Sequence, residues 1–165
     1  MLKGNIIDIL IIIIIIFVAS LSMILSATFA NMINTTMTSA STYAPNMNVT
    51  HINRATTTVY GLDIIVVAMF FGAVLASMIS AYYIGSHPFF FIFSVIFLLI
   101  IMIIAGTLSN SFNDIIEGSS MLSSVAENMP YTMFIGRYLP FEAVLAFILI
   151  GISLYAGKGN EGGGF

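Results

Sequence analysis

Apolar residues fall into four long blocks separated by polar intervals, and each block is longer than a strand needs. The first covers about residues 9–30. Its opening run, Ile9-Leu10-Ile11-Ile12-Ile13-Ile14-Ile15-Ile16, is apolar around the whole circumference of a helix, which suits lipid on most sides. Its second half carries Ser20, Ser22, Ser26 and Ala30, small residues that favour close helix contact. The other blocks cover about residues 62–84, 89–108 and 141–156. A bilayer core of about 30 Å takes roughly 20 residues of helix. All four are therefore expected to cross. The fourth reaches that length only if Leu139-Pro140 forms its entrance, and a buried or re-entrant segment is the alternative. For the first block a signal peptide is the rival, with Ala27-Thr28-Phe29-Ala30 as the cleavage-like site. The apolar run is longer than a typical h-region, so an uncleaved anchor is expected.

The fold expected is thus an all-α integral membrane domain with four transmembrane helices. In the second span Ala68, Gly72, Ala76 and Ser80 recur every fourth residue, with Ala73, Ser77 and Ala81 beside them. This small face suits close backbone approach, either within the chain's own bundle or between copies. Gly85, Ser86, His87 and Pro88 then form a turn too short for anything but an antiparallel hairpin of the second and third spans. Tyr82, Tyr83, Phe89, Phe90 and Phe91 place an aromatic belt at that end.

The polar intervals read differently from one another. Residues 31–60 are rich in Asn, Thr and Ser and contain Pro45, which predicts a packed loop with short extended pieces. Residues 110–129 place Phe112, Ile115, Ile116, Leu122, Val125 and Met129 at helical spacing. That predicts an amphipathic helix on the membrane surface, interrupted at Gly118-Ser119-Ser120, or a continuation of the third span. Residues 157–165 are Gly-rich and read as a flexible tail, whose terminal Phe165 is a candidate partner contact.

Composition sharpens this picture. The chain is 59% hydrophobic and only 7% charged, with a mean hydropathy of +1.09. So few charges cannot cover a soluble domain of 165 residues. A net charge of −3 and four scattered cations give nucleic acid no electrostatic footing. With two basic residues on each side of a four-span topology, Lys3 and Lys158 against Arg54 and Arg137, charge does not orient the protein.

Chemistry is scarce. There is no cysteine, His51 has no Cys, Asp or Glu at ligand spacing, and His87 in the turn reads as a helix cap or headgroup contact ahead of a metal ligand or pH switch, so no metal site is expected. Pumps and proton channels place ionisable groups at mid-membrane, yet the span centres around Ile16, Leu75, Ile100 and Leu149 hold none. Glu142 is expected to pair with Arg137 or with the dipole of the fourth helix. No catalytic residue and no cofactor are predicted.

The stretch Tyr82-Tyr83-Ile84-Gly85-Ser86-His87-Pro88-Phe89-Phe90-Phe91, followed by Phe112-Asn113 and by Leu139-Pro140 before a last span, resembles a group of small viral membrane proteins. They belong to tailless icosahedral viruses that carry a lipid membrane inside the capsid. The resemblance covers residues 62–157. It implies a structural protein of the virion's internal membrane, present in the host membrane before assembly. The partners implied are the lipid bilayer, other copies or other membrane proteins, and a capsid protein. A holin-like permeabilising protein and a non-catalytic accessory subunit of a cellular membrane complex are the competing expectations.

Overall fold

The computed structural model describes residues 6–43, 49–82 and 88–158. Every element among them is an α-helix: α1 (Ile6–Tyr43), α2 (Thr50–Gly61), α3 (Ile64–Tyr82), α4 (Pro88–Glu117), α5 (Ser120–Ala126), α6 (Pro130–Arg137) and α7 (Leu139–Lys158). Ile7–Ala40, Thr50–Tyr82 and Ser94–Glu117 are each long and apolar enough to cross a bilayer. Together α6 and α7 pass the same test as a pair bent by 78°. The described residues are thus all-α, with three helices long and apolar enough for a multi-pass membrane protein, or four if the bent pair is one span.

The interval 31–60, expected as a loop, is helical up to Tyr43 and again from Thr50. Thr and Asn are mediocre helix formers because their side chains compete for backbone partners. Here the competition is settled inside the helix. The hydroxyls of Thr35, Thr56, Thr57 and Thr58 donate to the carbonyls of Asn31, Ile52, Asn53 and Arg54 at 2.9, 3.1, 3.0 and 2.9 Å. Thr56 is also buried and reaches the Ala30 carbonyl at 3.5 Å, so α2 packs back along α1. With 38 residues α1 is about 57 Å long at 1.5 Å per residue, far beyond a bilayer core. It is therefore longer than a crossing needs, and its second half offers α2 a partner. α2 and α3 then form one rod, interrupted only by a turn at Leu62-Asp63.

α4, with 30 residues, is likewise longer than a bilayer core needs and continues to Glu117. It stops at Gly118, where a Cβ would lie 2.8 Å from the Asp114 carbonyl oxygen. Ser119 is extended, and its Oγ accepts the Leu122 N–H at 3.4 Å to begin α5. Most of the apolar side of this amphipathic segment is buried against protein. Val125, Ala126 and Met129 are buried with Phe112 and Ile116 of α4 and with Ile24 and Ala27 of α1. The overrunning ends of α1 and α4 supply a protein surface that removes the same apolar area from water.

The expected hairpin of the second and third spans is also modified. Asp63 at the head of α3 and Ser109 near the end of α4 both bond to α6, so the two helices run in opposite directions. Among the described residues, however, they are held apart by α7, which packs along both. Leu139, Glu142, Ala143, Ala146, Ile150 and Ser153 are the buried face of α7. Ala143 and Ala146 let it sink between its neighbours, and Ser153 Oγ donates to the Met78 carbonyl at 2.5 Å. The turn residues Gly85, Ser86 and His87 lie outside the described residues, as does Phe165; Pro88 opens α4.

Candidate functional site at the polar end of the bundle

The polar groups of interest converge on α6, a helix of 8 residues wedged between α1, α3 and α4. Its first amides have no side-chain cap of their own. Asp63 supplies one from across the fold: Oδ2 accepts the Tyr131 N–H at 2.9 Å and Oδ1 accepts the Thr132 N–H at 2.7 Å. Asp63 is only 4% exposed, so both of its oxygens are spent on holding α6. Read from the sequence, this carboxylate belongs to the start of its own helix, α3. At the other end of α6, Ser109 Oγ donates to the Arg137 carbonyl. Gly136 is buried against Phe112, whose ring occupies the space a Cβ would need.

Arg137 does not reach Glu142. Its Nε donates to Asn113 Oδ1 at 2.9 Å, and a terminal guanidinium nitrogen meets Glu117 Oε1 at 3.1 Å. The 78° bend between α6 and α7 turns the guanidinium onto α4. Glu142 stays behind on α7, 2% exposed, and neither carboxyl oxygen has a hydrogen-bond partner. An unpaired carboxyl in such surroundings is costly, and in membrane proteins it marks function more often than structure.

Glu142 lines a cleft of about 540 Å³ between α3, α6 and α7. The rest of its wall is apolar: Val67, Phe70, Ile135 and Leu145 lie beside it, and Phe71, Phe134 and Phe141 also contribute. Sequence reasoning missed this site because it needs three separated segments to meet. The only local signal was an acidic residue in the first turn of an apolar helix.

The sequence-derived packing stripe lies mostly on the outside of the bundle. Ala68, Gly72 and Ala76 are exposed and Ser80 is half-buried, whereas α3 meets the bundle through Val66, Phe70, Val74 and Ala81. A Cβ on Gly72 would meet nothing within 4 Å. His51 is exposed on α2. Among the described residues no three His, Cys, Asp or Glu side chains gather closely enough to hold a metal ion.

Comparison of the chain with known protein families, curated proteins and solved structures finds no match.

Proposed function

We propose that the protein is a structural component of the internal membrane of a virion, packing laterally in the bilayer and meeting a capsid shell through its polar end. The observation that carries this reading is the division of the molecule into two zones. The spanning bundle exposes apolar residues such as Val18, Leu75, Ile79, Leu99, Ile103 and Ile148. Beyond it, α2, α5, α6 and the projecting ends of α1 and α4 form a helical cap that exposes Arg54, Asp114, Glu117, Glu127 and Arg137. A lipid-facing bundle with a charged platform on one side suits a membrane protein that works by contact. The resemblance around Tyr82–Phe91 supplies the virion context, and the outward stripe of Ala68, Gly72 and Ala76 suits packing of a second copy.

The test is to follow the chain through membrane flotation and particle purification after expression in its natural setting. Recovery at fixed stoichiometry with a capsid protein, lost when Arg54, Glu117 and Glu127 are neutralised together, supports the reading. Lysis of cells by the chain expressed alone would favour a permeabilising protein, and co-purification with cofactor-bearing subunits an accessory role.

A further inference from the structure

The outer surface of the bundle changes character along its length. Away from α6 its exposed large residues are mainly aliphatic, among them Leu75, Ile79, Leu99 and Ile148. Around α6 they are aromatic: Phe71, Tyr131, Phe134, Tyr138 and Phe141 are each about half exposed or slightly more. All but Tyr138 rim one cleft, and the Tyr138 ring packs on Phe134 at a centroid distance of 5.1 Å, so the five form a single patch. Tyr131 and Phe134 of α6 and Tyr138 at its C-cap follow at helical spacing along one face, whereas Thr132, Ile135 and Gly136 are buried on the other.

The fold fixes the level at which this patch sits. Asp63, immediately before α3, holds the first amides of α6; Ser109 of α4 holds the Arg137 carbonyl at its end; and α7 starts at Leu139. Measured from that level at 1.5 Å per residue, α3 runs about 29 Å to Tyr82, α4 about 32 Å back to Pro88, and α7 about 30 Å to Lys158. Each length matches a hydrocarbon core of about 30 Å, so α7 needs no help from α6 to cross. The 78° bend carries α6 across the direction of α7. Through Phe71 and Phe141 the aromatic patch runs on into the apolar outer faces of α3 and α7, so the medium that covers those faces also reaches the rings. Tyrosine and phenylalanine suit the boundary of such a medium, where a ring body lies among acyl chains and a phenol tip stays wet. We propose that α6 lies in the plane of the membrane interface as an anchor, its Tyr131, Phe134 and Tyr138 rings resting between headgroups and upper acyl chains, while α7 crosses alone. This inference requires a membrane, but it does not depend on the virion reading.

The chain has no tryptophan, so a single introduced indole reports its own depth. Full-length Phe134→Trp, Leu99→Trp and Arg54→Trp are each reconstituted in phosphatidylcholine vesicles that carry a nitroxide either near the top of one acyl chain or near its end. Unlabelled vesicles are titrated with aqueous iodide. Phe134→Trp should lose more fluorescence to the shallow nitroxide than to the deep one, and less to iodide than Arg54→Trp on α2. Leu99→Trp, near the middle of the α4 crossing, should reverse the order of the two nitroxides. Tyr138→Trp repeats the measurement on a second ring of the same face, should Phe134→Trp fail to fold. Deep quenching of the α6 reporter at least as strong as shallow quenching puts α6 inside a broken span and overturns the proposal. Iodide quenching equal to that of Arg54→Trp leaves the rings in water, as a docking face for a soluble partner would be, and overturns it too. Protection from all three quenchers, with a second copy covering the rings, does the same.

Discussion

Two carboxylates at the polar end of this bundle, Asp63 and Glu117, have unequal energetic weight, and burial sets the order. Asp63 is enclosed and accepts two amide N–H groups that nothing else satisfies. Its replacement in Asp63→Ala orphans both donors, and a loss of about 2–3 kcal/mol is expected, read as a lowered thermal midpoint in detergent. Glu117 meets Arg137 with side-chain exposures of 66% and 43%. Solvent screens that pair, so Glu117→Gln should shift the same midpoint by no more than about 0.5 kcal/mol. Gly136 tests packing where the other two test polarity. Gly136→Ala drives a methyl into the Phe112 ring at a cost of about 1–3 kcal/mol. Much of that loss should return when Phe112→Leu is added, an outcome that independent destabilisation would not produce. None of these three roles can be read from its own neighbourhood in the chain. Asp63 caps a helix nearly 70 residues further on, and Phe112 explains a glycine on another helix.

At the scale of elements, the helical state of the threonine-rich interval separates two physical accounts. Proline in a helix interior costs about 3 kcal/mol and in a loop little. Thr57→Pro removes the N–H and the hydroxyl that bond within α2, and should therefore destabilise the protein by about that amount. A midpoint that barely moves would return residues 50–61 to the loop that composition suggests. The outer stripe of α3 makes the opposite kind of prediction. Gly72 has open space around it, so Gly72→Ile should leave the thermal midpoint nearly unchanged. If copies pack through this stripe, the same change should lower the dimer fraction seen by crosslinking in vesicles. The helical spacing of Ala68, Gly72 and Ala76 was plain in the sequence. What faced it was not, because the opposite side of α3 is apolar as well.

For the whole molecule, α2, the end of α4, α5 and α6 gather around the second half of α1 at one end of the bundle, which predicts that they share one side of the membrane. The chain has no cysteine, so single thiols can be introduced as unambiguous reporters. Asn53→Cys and Asp114→Cys should react with a membrane-impermeant maleimide from the same side of sealed vesicles. Ile103→Cys should resist it from both sides, although Ile103 is 71% exposed, because that exposure is to lipid. Reaction of the first two from opposite sides would dismantle the cap.

The sequence by itself determined which stretches are apolar enough for lipid, since transfer of a side chain into hydrocarbon is local and nearly additive along a helix. It also marked the interruption at Gly118-Ser119 and offered Leu139-Pro140 as an entrance to a last span placed at about 141–156, where turn and capping chemistry act over a few residues. Only the tertiary structure decided which faces meet. In lipid a buried face and an exposed face are equally apolar, so periodicity carries no record of α7 wedging between α3 and α4. It alone decided that polar segments outside the membrane stay helical, because helices overrunning the bilayer gave them partners. The same long-range geometry turned Arg137 towards Glu117 and left Glu142 unpaired in an apolar cleft.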